Sequence, residues 1–346
     1  MDFNILDYAM IDEGKNATQA LQDTTRLAKL ADDLGYKRFW LTEHHDVPAF
    51  ASGSPELLMM HLLGETKRIK LGSGGVMLPH YSPFKVAENF KMLEALHPGR
   101  VDLGIGNNPG TAVVKRAMDE DKRDYLDYSQ SIEDIRHYLT RAPEEQRVGQ
   151  VISQPHLSRH PEMWLLSASQ RSAKLAATQG MGYTLGTFLL PSQDKIDAAK
   201  ASVETYREHF QQTALNMSPT VMLTTFAIVT DTEEEAQDLL HALDVWLLGK
   251  RQFAEFDRFP SIETAKQYNL SERDKRVITQ HRARILAGTI EQVKPRLDAM
   301  IQEFKADEVL VVPLLPDIDQ RCRTIEHIAQ AYLSVSYTHL TLPTSD

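Results

Sequence analysis

Cysteine is almost absent from the 346-residue chain: Cys322 is its one thiol. No intrachain disulfide can form, and no cysteine zinc site can be built. Long apolar runs are missing too, none approaching the roughly 20 residues that cross a bilayer. The first residues, Met1-Asp2-Phe3-Asn4-Ile5-Leu6-Asp7, show no basic region leading into an apolar run, so no signal peptide is expected. Positive charge is in deficit, with 38 Lys and Arg against 48 Asp and Glu, a net charge of −10. An acidic surface favours solubility and disfavours non-specific binding to nucleic acid or membrane. The expectation is a cytoplasmic protein with neither nucleic acid nor membrane among its partners.

What is present is an alternation. Strand patterns occur at 3–10, 38–43, 69–77, 100–106, 162–168, 183–188, 220–229 and 308–312, with helical spacing between them. Ala17, Ala20, Leu27, Ala31 and Leu34 repeat at helical intervals after Asn16, and Gly35 follows as a C-terminal cap. Pro55 and Ser82-Pro83 open two further helices. Alternating strand and helix predicts a parallel sheet wrapped by helices. Eight such repeats predict an α/β fold of the closed (β/α)8 TIM-barrel kind over residues 1–334, with an open doubly wound sheet as the alternative. Residues 250–288 are too long for an ordinary connection and rich in charge, from Arg251 and Arg258 to Arg276. They read as a surface insertion or a lid across the barrel mouth. Residues 335–346 read as a tail outside the domain.

In such a barrel, function sits at the C-terminal ends of the strands. Four of these ends carry unusual chemistry. Phe39-Trp40-Leu41-Thr42 runs into Glu43-His44-His45, which delivers ionisable groups to one end of the sheet. Adjacent residues of an extended chain point opposite ways, so one histidine is expected at the mouth and the other against the wall. Proton transfer near neutral pH and a hydrogen-bonded polar core are both open roles. A metal is not expected, because no His-x-x-x-His pair or carboxylate cluster accompanies them.

Gly72-Ser73-Gly74-Gly75-Val76-Met77 puts glycine inside a strand. That pattern fits either close approach of a flat ligand or a bulge. Gly104-Ile105-Gly106-Asn107-Asn108-Pro109-Gly110 lacks the spacing of a dinucleotide fingerprint, but it offers backbone N–H groups and two amides. Ser167-Ala168-Ser169-Gln170-Arg171-Ser172 ends a strand and begins a helix. It can seat a phosphate on free N–H groups and hydroxyls, or it can be a plain N-cap.

Taken in order, these residues resemble the bacterial luciferase-like flavin monooxygenases. The resemblance runs over residues 1–334 and rests on Glu43-His44-His45, Gly72 to Pro79, Ala87-Glu88 and Leu96 to Gly106. It implies FMN at the strand ends, supplied reduced by a separate flavin reductase, and oxygenation of a small organic substrate by a homodimer. Relatives on the same fold use a deazaflavin for hydride transfer, and a flavin-binding relative without turnover is a third reading.

The resemblance also implies roles. His44 becomes the active-site histidine, with His45 supporting it or facing substrate. Gly74-Gly75 becomes a non-prolyl cis peptide beneath the flavin, with Met77 beside it. Ser169 and Ser172 become phosphate contacts, with Ser167, Ala168 and Arg171 around them. Three departures stand out. Asn107 occupies the position of a phosphate-binding arginine, for which Arg171 is the candidate substitute. Ala168 replaces a glutamate found in some luciferases. Gly106 stands where luciferase has a reactive cysteine, so no thiol chemistry carries over.

Overall fold

The computed structural model describes residues 1–119, 127–140, 147–149, 151–190, 192–249 and 256–333. Its strands are β1 (Asp2–Asp7), β2 (Arg38–Leu41), β3 (Lys70–Met77), β4 (Val101–Gly106), β5 (Glu162–Leu166), β6 (Gly182–Gly186), β7 (Val221–Val229), β8 (Ile285–Gly288) and β9 (Glu308–Val312). β1 to β7 pair in sequence order, β7 pairs with β9, and β9 returns to β1. All these pairings are parallel, and the ring they close has eight strands. The expected barrel is present, and the open sheet is not.

The segment 250–288 contains a strand that the sequence pattern does not show. That segment ends in β8, which pairs only with the far half of β7, from Phe226↔Ile285 to Val229↔Gly288. Four residues, Ile-Leu-Ala-Gly, are too few to show an alternating pattern. Within the same segment, α9 (Ile262–Gln267) and α10 (Glu272–Arg282) are short helices capped by Ser261 and Ser271. Arg251 and the rest of 250–255, and the tail 335–346, lie outside the described residues.

The helices around the ring begin with α1 (Ala17–Leu34), α2 (Pro55–Glu65) and α3 (Pro83–Leu96). Asn16 and Gln19 form a capping box on α1, and Gly35 ends it at φ 86°, a left-handed conformation that glycine adopts without a Cβ penalty. Leu27, Ala28 and Ala31 turn inward and join the core against the sheet. α4 (Ala112–Asp119) has no counterpart in the sequence reading, while α5 (Tyr128–Thr140) is the described part of the helix expected over 124–140. α6 (Gln170–Thr178), α7 (Gln193–His209), α8 (Glu233–Leu247), α11 (Ile290–Glu303) and α12 (Ile318–Tyr332) complete the wrapping.

Alternate residues of each ring strand point inward and stack in layers. At the N-terminal ends of the strands the layer is ionic. Buried Arg38 donates to Asp102 at 2.6 Å, to Glu162 at 2.9 Å and to Glu308 at 2.9 Å. The next layer is aromatic: Trp40 meets Trp164 edge to face at 5.5 Å, and the indole of Trp40 donates to Asp102. Gly72 lies against Trp40, where an added Cβ would come within 2.4 Å of the indole. This glycine therefore makes room for the tryptophan, not for a ligand. With ions and indoles filling the lower barrel, the one end left to hold a ligand is the C-terminal mouth.

Candidate active site

Above the tryptophans lies a cavity of about 670 Å³, walled by the ends of β1 to β7. Its lining contains His44, His45, Gly74, Gly75, Met77, Asn107, Ser167 and Ala168. These residues come from four separate strand ends, so the barrel gathers most of the predicted site in one place. Ser169, Arg171 and Ser172 lie one step outside, at the start of α6.

The histidines depart from expectation. β2 stops at Leu41, so Glu43-His44-His45 is loop and not extended strand, and the opposite-facing rule does not apply. Both histidines reach the cavity. His44 stacks on Tyr8, with centroids 5.2 Å apart, and meets Phe50 at 5.0 Å. Its Nδ1 lies 3.0 Å from Oγ1 of Thr42. Burial among these rings pushes the His44 imidazole down to about 4, and the nearby Glu43 charge opposes that only in part. At neutral pH His44 is therefore uncharged.

Glu43 is the organising group that the sequence reading left without a role. Its side chain is 0% exposed. One carboxylate oxygen accepts from the backbone N–H of Met77 at 2.9 Å. The other accepts from the hydroxyl of Tyr81 at 2.6 Å and lies 2.7 Å from Nε2 of His45. A carboxylate only accepts, so His45 donates through Nε2. Burial, reinforced by this bond, pushes the Tyr81 phenol up, which keeps the hydroxyl a donor. Glu43 thus ties the loop after β2 to the end of β3. The signal was its place directly before the two histidines.

Of the two alternatives for the glycines of β3, the bulge is present. The register with β4 slips between Ser73 and Val76, so Gly74 and Gly75 form a bulge. Their mutual peptide bond is cis, and both residues line the cavity. A Cβ on Gly75 would meet the carbonyl oxygen of Gly104 at 2.8 Å, and one on Gly74 would meet Leu6 at 2.5 Å. The result is a stretch of wall that presents backbone without side chains.

At the start of α6, Oγ of Ser169 accepts from the Ser172 N–H at 3.2 Å, which is an N-cap. Oγ of Ser172 lies 3.0 Å from Oγ of Ser169, and Ser167 accepts from the Ser169 N–H at 3.1 Å. Three hydroxyls therefore cluster at a positive helix end, beside the cavity. Arg171 is exposed on the first turn of α6. Asn107 is exposed at the rim, and among the described residues no Lys or Arg lines the cavity. A flat ring fits the bare wall, and a phosphate fits the hydroxyl cluster. Among the described residues no group of three His, Cys, Asp or Glu could hold a metal, and no helix is long and apolar enough to cross a membrane.

The segment beyond α8 is fastened to this mouth. Phe259 pairs through its backbone with Ile11 and Glu13, and Arg258 donates to the carbonyl of Pro48 at 2.9 Å. The Phe259 ring lies 5.0 Å from Trp246, which meets Phe50, the neighbour of His44, at 5.7 Å.

Similarity to known proteins agrees with this architecture. The family described as luciferase-like monooxygenase matches residues 1–308. YwcH of Bacillus subtilis strain 168 is 39% identical over 335 residues, covering 96% of this chain and 99% of its own. The N-acetyl-S-alkylcysteine monooxygenase of the same organism is 29% identical over 337 residues, covering 96% and 98%. The solved structure of apo-MsnO8 is 30% identical and superposes with a TM-score of 0.80 over 96% of this chain and 98% of that one. A barrel carrying Glu43-His44-His45 and a glycine bulge at its mouth, matched over nearly its whole length, belongs to the luciferase-like monooxygenase family.

Proposed function

We propose that this chain is the oxygenating component of a two-component monooxygenase: it takes reduced FMN from a separate flavin reductase and uses dioxygen to oxygenate a small, neutral organic substrate. The observation that carries the reading is the pairing of a neutral His44 with the side-chain-free Gly74-Gly75 wall in one cavity. Bound reduced flavin supplies the electrons that activate oxygen, and the protein supplies position, electrostatics and exclusion of water.

The chain's own residues divide that work. Gly74, Gly75 and Met77 present a flat face to the ring. Ser167, Ala168, Ser169 and Ser172 seat the phosphate on hydroxyls and helix N–H groups, with Asn107 and Arg171 at its edge. His44, held by Thr42 at Nδ1, takes or gives a proton at Nε2 as a general acid and base. His45, fixed by Glu43, shapes the side of the cavity nearest substrate. Residues 256–288 act as the lid, anchored on the loops after β1 and β2. Exposed Leu57 on α2 and Met92 and Leu96 on α3 form the apolar face through which two copies dimerise.

Among the described residues the lining holds no Lys or Arg for an anionic substrate, which favours uncharged thioethers, ketones and aldehydes over acids. The relative named for N-acetyl-S-alkylcysteine makes thioethers the first class to assay. The assay supplies FMN, a reductase and oxygen, and measures oxygenated product against peroxide released. Coupled product from the wild type, reduced about 10²–10⁴-fold in His44→Ala, supports the assignment. Equal coupled yield from the two proteins contradicts the role of His44.

A further inference from the structure

Nine threonines are buried in the described residues, and all but two have a hydrogen-bond partner. Thr24 donates to Asp7, Thr66 to the Leu62 carbonyl, Thr187 to the Thr224 carbonyl and Thr324 to the Val229 carbonyl. Thr42, Thr225 and Thr230 are also engaged. The exceptions are Thr184, 2% exposed, and Thr224, 3% exposed, whose hydroxyls meet no partner among the described residues. Both line the mouth cavity. They stand on adjoining strands, with Thr184 opposite Met222 and Thr224 opposite Gly186. A buried hydroxyl without a partner is destabilising, and a methyl group of the same shape would remove that cost. Two such hydroxyls on the wall of one cavity, while the other buried threonines among the described residues are all satisfied, mark a place built to meet something bound.

We infer that Thr184 and Thr224 form a hydrogen-bonding subsite for the neutral amide or imide edge of the cavity's ligand. A hydroxyl both donates and accepts, which matches an edge that alternates carbonyl and N–H. Among the described residues the lining holds no Lys or Arg, and its carboxylate, Glu43, is engaged by Met77, Tyr81 and His45, so this wall presents no free charge with which to select an ion. The pyrimidine edge of a flavin has this chemistry, and so does a substrate amide. In its flavin form the inference rests on the proposed function.

The test uses Thr184→Val and Thr224→Val, singly and together, with Thr→Ser at each position as the control that keeps the hydroxyl. Each apoprotein is unfolded thermally, then titrated with FMN, with 3-methyl-FMN, in which the imide N–H is blocked, and with N-acetyl-S-methylcysteine methyl ester as a neutral amide. If the subsite exists, the valine apoproteins unfold at or above the wild-type temperature. Binding of FMN or of the amide ester weakens about threefold to tenfold per valine. The serine variants bind as wild type does. Loss confined to FMN, together with weak binding of 3-methyl-FMN to the wild type, assigns the subsite to the flavin; loss confined to the ester assigns it to substrate. Valine variants that bind both as the wild type does, or that melt lower by as much as they bind less, overturn the subsite and leave the flavin reading standing. A wild type that binds no flavin and no amide overturns both.

Discussion

Oε1 of Glu43 lies 2.7 Å from Nε2 of His45 and also accepts the Tyr81 hydroxyl at 2.6 Å, so one fully buried carboxylate fixes a histidine of the cavity and the turn after β3. Glu43→Gln keeps the shape but offers one acceptor oxygen to three donors, which strands at least one of them. The expected loss is about 1–3 kcal/mol of folding stability by urea denaturation, against about 1 kcal/mol for Tyr81→Phe. Equal stability of Glu43→Gln and wild type would show that the carboxylate organises nothing.

His44 gives a pH dependence of known sign. Its native pKa is lowered from 6.5 to about 4, so between these values the unfolded chain binds a proton that the native chain refuses. Stability therefore falls as pH drops from 6.5 towards 4, and is unaffected by this group above 6.5. His44→Gln removes the contribution. Between those pH values the wild type should lose about 2 kcal/mol more than the variant, less than the full shift would give because the ring edge borders the cavity. Parallel stability curves for the two proteins would mean that His44 is not buried neutral.

Much of this was legible in the sequence, and the reasons are local. The eight ring strands carry apolar residues bounded by caps such as Asn16, Ser82-Pro83 and Gly35, and the bounds of each agree to within three residues, the largest gap being the end of β1. β8 was not, because four residues contain no period. α4 was missed because Ala112–Asp119 spans eight residues, about two turns, too few to show a helical repeat. In the site, the residue types were readable but their relations were not. Glu43 bonds across 34 residues to Met77 and 38 to Tyr81, and no spacing rule announces such a contact. The unpartnered hydroxyls of Thr184 and Thr224 look like ordinary strand threonines until the cavity beside them is known.

Asn107 sits at the cavity rim without charge. Asn107→Arg adds a guanidinium that can pair with a phosphate. FMN affinity should rise about tenfold and become more sensitive to salt, while riboflavin affinity, lacking the phosphate, stays constant. A rise for riboflavin equal to that for FMN would place the phosphate elsewhere.

At the closed end of the barrel, Arg38 pairs with Asp102, Glu162 and Glu308, and Lys37 and Lys70 share the same carboxylates. Arg38→Met leaves three carboxylates to Lys37 and Lys70 alone and should cost about 3–5 kcal/mol, read from the denaturation midpoint. The cavity is separated from this layer by Trp40 and Trp164, so whatever folded protein remains should bind flavin with unchanged affinity. A loss of flavin affinity in that folded fraction would show that the two layers are coupled.

The central claim is that the barrel mouth binds reduced FMN, and the direct measurement is an anaerobic spectroscopic titration of the wild type with reduced FMN, oxidised FMN and a deazaflavin in parallel. The account predicts saturable binding of one flavin per chain, tightest for reduced FMN and weakened at least tenfold by Ser169→Ala together with Ser172→Ala. A deazaflavin that binds more tightly than reduced FMN, or reduced FMN that binds the serine variant as well as the wild type, would contradict it.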